Sequence, residues 1–465
     1  MSAYDVIVLG GGPAGLACAY ALAAGGKRVA IVERELVGGE CAYWACVPTK
    51  ALLRAAAPNA ESAVVPGSRE ARAGVPAFAP AAAWRTSLVS DYDDGDHVRE
   101  LETARIVLLR GEASIVRRGC VRLDDRELTC ETIVVATGST DTPPPLEGLR
   151  DGGAFWMSRD ASAATSVPAS LIVLGGGAVG VEFAQLFARF GSRVTLVEPS
   201  SHVLPSEDAD AAGLLAAQLV RDGVDVRTGK KPERVTWHDD GVSVHLPGGE
   251  TLVAARVAAL TGRSPNSADI GLENAGVACD DRGAIRVDET CRAADGVFAV
   301  GDVTNVAPYT HAAKYQGRIA AATILGSHAR ARYDAVPRCV YTSPEVASVG
   351  TTRATADESG AGVLSARVDF DEVTRPVLHS DPPADGALEL FADPETGALV
   401  GGWIVGPFAS ESIGFVTSAI VARTPLATLL DVIQPYPTYG EAFYVALDRL
   451  ARSLTASRSE ALSVR

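Results

Sequence analysis

Apolar positions near the N-terminus are gathered in short unbroken runs and do not alternate with polar ones. Asp5 to Leu9 is one such run; it closes on Gly10-Gly11-Gly12-Pro13-Ala14-Gly15, an Ala-rich stretch follows, and a second run from Val29 to Val32 ends on Glu33. Apolar runs bounded by glycine read as strands buried on both faces, and alanine favours helix between them, so the pattern predicts strand, helix, strand. The pattern returns as Leu171 to Leu174, Gly175-Gly176-Gly177-Ala178-Val179-Gly180, a helical stretch, and Val194 to Val197 ending on Glu198. Glu33 follows Gly10 and Glu198 follows Gly175 at a common interval of 23 residues, which makes the second copy an internal repeat of the first.

Each copy runs on to a strand with a Thr-Gly turn, Ile133-Val134-Val135-Ala136-Thr137-Gly138 in the first and Val257-Ala258-Ala259-Leu260-Thr261-Gly262-Arg263 in the second. The first copy is 41 residues longer, so it carries an insertion after its second strand. Pro143-Pro144-Pro145 continues neither a helix nor a central strand and reads as a linker. Val297 to Asp302 is a further strand run ending in Gly301-Asp302, and a helix is predicted from about Thr310. From about Val336 the texture changes to Pro-rich starts, β-rich runs such as Val400 to Val405, and two late helical segments. The expected architecture is α/β: two doubly wound, Rossmann-like nucleotide-binding domains, each with a parallel sheet, and a C-terminal α+β domain. The expected boundaries are 1–150 with 284–333, 151–283, and 334–465.

The 465 residues match a prior of about three domains. A net charge of -15 would repel a phosphate backbone and an anionic membrane surface alike, so neither nucleic acid nor membrane is an expected partner. The sequence enters its first strand without a basic, then apolar, export segment, and the most apolar stretch, Leu171 to Phe187, contains four glycines and Glu182. A cytoplasmic location is expected, where a close cysteine pair is more often redox-active or metal-binding than structural.

The glycine turns fit dinucleotide binding. Glycine allows the tight turn, the close approach of backbone to pyrophosphate and the helix–strand packing, and the acid ending the second strand can hold a ribose hydroxyl. The insertion opens on Gly38-Gly39-Glu40-Cys41-Ala42-Tyr43-Trp44-Ala45-Cys46-Val47-Pro48-Thr49-Lys50. Two cysteines about one helical turn apart can meet as a disulfide or dithiol; inert buried thiols and half of a metal site are the alternatives. No second pair has zinc-like spacing, so no metal site is expected. The other six cysteines, Cys18, Cys120, Cys130, Cys279, Cys291 and Cys339, and the tryptophans are expected to pack in the core.

These motifs together resemble the flavoprotein pyridine nucleotide-disulfide oxidoreductase family, the group of dihydrolipoyl dehydrogenase, glutathione reductase and mercuric reductase. The resemblance spans both glycine motifs, Cys41 and Cys46 with Pro48 and Lys50, the Ala136-Thr137-Gly138 turn, Gly262-Arg263 with Pro265-Asn266, and Gly301-Asp302. Tyr341-Thr342-Ser343-Pro344-Glu345 and Val349-Gly350 resemble the start of that family's dimer-interface domain.

The resemblance implies FAD on the first copy, with Gly10, Gly12, Pro13, Ala14, Gly15, Glu33 and Asp302, and NAD on the second, with Gly175, Gly177, Val179, Gly180 and Glu198. It adds Arg34, Gly39, Ala136, Thr137, Gly138, Gly262, Arg263, Gly301, Thr310, His311 and Ala312 to the cofactor-binding set. Glu198 argues for NADH over NADPH, since a carboxylate repels a 2′-phosphate and no arginine stands nearby in Pro199-Ser200-Ser201-His202. By the same resemblance Cys46 would face the flavin, Cys41 would attack the substrate, and Lys50 and Glu182 would pair beside the ring. A homodimer acting on a small molecule or a small disulfide or thiol is implied as well.

One segment departs from the pattern. The disulfide-reducing members carry a His-Pro-Thr-x-x-Glu segment near the C-terminus, where this chain has Tyr436-Pro437-Thr438-Tyr439-Gly440-Glu441. A phenol with an ordinary pKa of about 10 is a poor proton acceptor near neutral pH. Tyr436 and Glu441 are therefore candidates for shaping the pocket, and Tyr43 and Trp44 add bulk expected to reshape its substrate side. Pro435-Tyr436 and Glu441 resemble the mercuric reductases, but Ala451 to Arg465 contains no cysteine for passing on the metal, and no metal-binding N-terminal extension is read. Four readings follow: an NADH-linked disulfide or related acceptor reductase, a flavin-dependent tailoring dehydrogenase or oxidase, a mercuric-reductase-like metal reductase, and a non-catalytic flavoprotein.

Overall fold

The computed structural model describes residues 3–69, 74–153, 155–360, 362–383 and 385–463. The chain forms two compact units. The first comprises Met1–Thr49, Ala83–Pro143 and Gly262–Tyr333; the second comprises Lys50–Ala82, Pro144–Thr261 and Asp334–Arg465. One boundary falls within the proline run, between Pro143 and Pro144.

In the first unit, strands Val297–Ala299, Arg126–Val135, Tyr4–Leu9, Val29–Glu33 and Val107–Arg110 lie side by side and parallel. Every residue of Val29–Glu33 is buried, which accounts for its unbroken apolar run. The register pairs Leu9 with Val32 and Val135, and Val135 with Ala299. Gly10, Glu33, Ala136 and Gly301-Asp302 therefore emerge at the same carboxyl edge of the sheet, the edge on which open α/β sheets bind ligands. Helix Pro13–Ala24 lies against helix Thr310–Ile324, so closely at Gly317 that a Cβ there would stand 2.5 Å from the Ala14 carbonyl.

The sheet is not wholly parallel, contrary to expectation. Arg292–Ala294 pairs antiparallel with Val297–Ala299, and Ala113–Arg117 and Cys120–Leu123 form an antiparallel extension on Arg126–Val135. Asp295-Gly296, Arg118-Gly119 and Asp124-Asp125 supply the connections, and a two-residue link makes a hairpin but cannot make a parallel crossover. The insertion is helical: Gly39–Tyr43, Cys46–Ser62, Phe78–Leu88 and Gly95–Thr103 precede the edge strand Val107–Arg110.

The second unit contains an all-parallel sheet ordered Asp225–Thr228, Arg193–Glu198, Ser170–Leu174, Arg256–Ala259. It also contains an antiparallel sheet ordered Arg338–Val340, Glu345–Gly350, Leu399–Gly406, Ala387–Ala392, Leu364–Asp369. Helices Ala409–Ala422, Leu426–Leu430 and Gly440–Ser463 follow, one more than the sequence suggested. Ile413, Val416, Leu447 and Leu450 from these helices share a core with Val349, Val368 and Leu390 of the sheet. Among the described residues no helix is long and apolar enough to cross a membrane.

Two packing expectations are corrected. Trp403 is fully buried, but Trp84 is exposed, and Trp44, Trp156 and Trp237 are half-buried. Cys18, Cys120, Cys130 and Cys291 lie in the core, whereas Cys339 is half-buried and Cys279 is exposed.

Candidate active site

The first glycine turn is shaped for a ligand. Gly10 has φ +107°, and a Cβ on it would lie 2.3 Å from the Ala136 carbonyl oxygen, so protein packing alone demands glycine there. Gly12 is different: the nearest atom to its Cβ position is the Gly39 Cα at 4.0 Å. Gly12 caps helix Pro13–Ala24 without any side-chain hydrogen bond, which leaves first-turn N–H groups and the positive end of the helix open to an anion. Glu33 is buried and accepts the N–H groups of Gly11 and Glu35, each at 2.7 Å, leaving carboxylate lone pairs for a hydroxyl. Arg34 points outward to Glu112 at 3.3 Å.

The same construction recurs in the second unit. Gly175 has φ +105°, the space around the Gly177 Cβ position is empty within 4 Å, and helix Ala178–Arg189 has no side-chain cap. Gly180 is buried in the first turn and Val179 beside it is exposed. Glu198 is buried and accepts the N–H groups of Gly176 and Ser200 at 2.7 Å each.

Asp302 is held from the side. Ser139 Oγ donates to Asp302 Oδ2 at 2.8 Å and accepts from Arg263 Nε at 2.8 Å, while Arg263 also reaches Asp141 at 2.5 Å. Arg263 is thereby committed to protein partners of the first unit, where Arg263–Pro265 pairs with Ser139–Asp141. Gly262 immediately precedes that strand. Thr137 Oγ1 donates to the Asn266 carbonyl at 2.6 Å and the Asn266 amide returns a bond to the Thr137 carbonyl at 2.9 Å, fixing the turn that contains Gly138.

Cys41 and Cys46 are half-buried, in helix Gly39–Tyr43 and at the start of helix Cys46–Ser62. Thr310, the first residue of helix Thr310–Ile324, brings its hydroxyl to both: 3.2 Å from Cys41 Sγ and 3.5 Å from Cys46 Sγ. Hydrogen bonding to Cys46, followed by burial, pushes the Cys41 thiol well above its ordinary range, while Thr310 and Lys314 pull it down. His311 stacks on Tyr309 with ring centroids 5.5 Å apart, and Ala312 is buried.

Tyr43 is buried and its hydroxyl donates to the Val37 carbonyl at 3.1 Å; Trp44 stacks on Tyr92 at 6.2 Å. The bulk between the cysteines packs within the first unit.

In the second unit Lys50 Nζ lies 2.8 Å from Glu182 Oε2 and 4.9 Å above the Tyr341 ring, and the Tyr341 N–H donates to Glu182 Oε1 at 2.9 Å. At the C-terminal segment Tyr436 is 70% exposed and its hydroxyl donates to Thr374 Oγ1 at 3.2 Å. Glu441, in the first turn of helix Gly440–Ser463, has a buried Oε2 with no hydrogen-bond partner among the described residues, as has the Tyr439 hydroxyl. The structure adds His379, whose ring lies 6.1 Å from that of Tyr439 and 6.2 Å from that of Phe408. Burial, then Arg375, lower its pKa against the opposing pull of Glu61. Nothing in the spacing of His379 pointed to this segment. The double contact of Thr310 had no local signal either.

Residues 4–317 match the profile of pyridine nucleotide-disulphide oxidoreductases, and residues 336–447 match the dimerisation domain of the same family. The chain belongs to the pyridine nucleotide-disulphide oxidoreductase family. A dihydrolipoyl dehydrogenase of Thermus scotoductus is 35% identical over 462 residues, covering 97% of this chain and 98% of that protein. A mercuric reductase of Bacillus cereus is 30% identical over 96% of this chain and 71% of its own length. Among solved structures, the HOCl-induced flavoprotein disulfide reductase RclA of Escherichia coli superposes with a TM-score of 0.85 at 29% identity, over 96% of this chain and 99% of that one, and its Cu(II) complex superposes equally well. The protein is an FAD-dependent oxidoreductase that uses FAD and NAD(H). The open N-termini at Gly12 and Gly177 and the satisfied but not saturated carboxylates of Glu33 and Glu198 fit two dinucleotides.

Proposed function

We propose that this enzyme reduces a small disulfide with NADH through a Cys41–Cys46 dithiol, FAD resting on Gly10 to Gly15, Glu33 and Asp302. The observation that carries the reading is the meeting of both sulfurs at the Thr310 hydroxyl, on the positive end of an uncapped helix where a thiolate is favoured. Bound FAD would take the hydride of NADH and make its two electrons available to the cysteine disulfide. The Cys41 thiolate attacks one substrate sulfur, the substrate S–S bond breaks, and the first thiolate leaves. Cys46 then attacks Cys41 Sγ, releasing the second thiolate and closing the Cys41–Cys46 disulfide. NADH, a proton and the disulfide give NAD and two thiols. Lys50, oriented by Glu182, supplies a fixed positive charge.

On this reading Glu198 selects NADH. The domains are 1–150 with 284–333 for FAD, 151–283 for NAD, and 334–465 for pairing with a second copy, and a dithiol that must cycle belongs in a reducing cytoplasm. The test is a count of thiols. Anaerobic NADH followed by a mass-tagging alkylator should label Cys41 and Cys46 together, and labelling that does not depend on NADH would refute the dithiol route.

A second reading has a thiophilic metal ion as the electron acceptor. It is favoured by Tyr436, whose exposed phenol is no substitute for an acid that protonates departing thiolates. An uncomplexed metal ion releases no thiolate on reduction and has no such need. The mercuric reductase relative and the Cu(II) complex of RclA support this alternative.

A further inference from the structure

We propose that the Thr310 hydroxyl decides which sulfur of the reduced pair carries the thiolate, a positioning role that rests on the dithiol reading above. A hydroxyl has one proton to give and two lone pairs to receive. At 3.2 Å from Cys41 Sγ and 3.5 Å from Cys46 Sγ, it can donate to one sulfur while accepting the S–H of the other. The hydroxyl has no competing duty as a helix cap: Tyr309 occupies the cap position, and no side chain caps helix Thr310–Ile324.

The reduced pair holds one thiol and one thiolate after losing a single proton. With the charge on Cys41, Thr310 donates to Cys41 and accepts from the Cys46 thiol. To move the charge, the Cys46 S–H bond breaks and its proton passes to Thr310 Oγ1, while the hydroxyl's own proton forms the Cys41 S–H bond. The net charge of the pair is unchanged, and the thiolate now stands on Cys46. Reversal restores it to Cys41. Both cysteines are half-buried. Helix Thr310–Ile324 favours negative charge at either sulfur, and the direct hydrogen bond between Cys46 and Cys41 serves both charge placements, so the hydroxyl, closer to Cys41, tips the choice between them.

The experiment uses the holoenzyme reduced chemically with dithiothreitol, so it does not depend on NADH. Iodoacetamide labelling of Cys41 and Cys46 is followed against pH by peptide mass spectrometry in the wild type, Thr310→Val and Thr310→Ser. Valine keeps the branched shape without the hydroxyl, and serine keeps the hydroxyl. The expected result is a rise of about one pH unit in the Cys41 labelling midpoint for Thr310→Val, the size of a hydrogen bond to a charged group, with recovery in Thr310→Ser. An unchanged midpoint in Thr310→Val overturns the assignment, and so does an equal shift in both variants, which would mark packing alone. If NADH generates no thiols in the wild type, the dithiol route fails instead, and the labelling midpoints still judge Thr310 separately.

Discussion

Lys50 and Glu182 form an ion pair of 2.8 Å in which the carboxylate is 4% exposed and the ammonium 35%. The other oxygen of Glu182 takes the Tyr341 N–H, so one buried carboxylate fixes both a cation and a strand end. Glu182→Gln keeps the shape and removes the charge. Because Lys50 remains partly solvated, the expected cost is about 1–2 kcal/mol, below the 3–5 kcal/mol of a fully buried pair broken on one side. Urea denaturation of wild type and variant measures it, and no loss would mean the pair contributes nothing to the fold.

Among the described residues, no atom beyond Gly177 and its chain neighbours lies within 4 Å of the Gly177 Cβ position. Gly177→Ala should therefore leave thermal stability within about 1 kcal/mol of wild type and raise the KM for NADH about tenfold or more, since the methyl would occupy space needed by pyrophosphate. Steady-state kinetics with a thermal melt separates the two effects; an unchanged KM would move the nucleotide elsewhere.

Glu198 accepts two backbone N–H bonds, and on the proposed reading its remaining lone pairs take ribose hydroxyls. Glu198→Arg should lower kcat/KM for NADH about tenfold and raise the NADPH to NADH ratio, because a guanidinium attracts the 2′-phosphate that the carboxylate repels. The ratio of the two kcat/KM values is the readout.

Tyr436 is 70% exposed, and its hydroxyl bonds Thr374 among the described residues, so Tyr436→His should fold normally. An imidazole titrating near pH 7 should raise turnover of small disulfides at least about tenfold. Unchanged turnover of the same disulfides would favour the metal-ion reading.

His379 has a lowered pKa in the fold because of burial and Arg375. The neutral ring is thus the native form, and the unfolded chain binds the proton more readily. Its contribution is complete above the unfolded value of about 6.5 and is lost as pH falls through the lower folded value. Glu389, raised by burial, has the opposite sign, so the comparison must be between wild type and His379→Gln. Urea midpoints at pH 7 and pH 5 should fall more in the wild type, and parallel curves would contradict this.

What the sequence made legible was what local burial and backbone conformation dictate. Val29 to Val32 read as a strand because every residue of Val29–Glu33 is buried, and Gly10 and Gly175 marked turns because both adopt positive φ. The hairpins at Asp124-Asp125 and Asp295-Gly296 were legible in link length but were overlooked beside the stronger parallel signal. Thr310 is separated by 269 residues from Cys41, and no periodicity relates the two. His379 meets Tyr439 across 60 residues through packing of its ring against Tyr439 and Phe408, contacts that depend on the completed core. Aromatic bulk between cysteines does not reveal the direction of a side chain; that of Tyr43 is fixed by its bond to the Val37 carbonyl.

The most direct test of the central claim is an anaerobic NADH titration of the yellow holoenzyme followed by its visible spectrum, with Cys46→Ser in parallel. Electron flow into the Cys41–Cys46 pair predicts a long-wavelength absorbance band in the wild type that the variant lacks. Loss of the yellow colour in the wild type without that band would show that the electrons do not reach the cysteines.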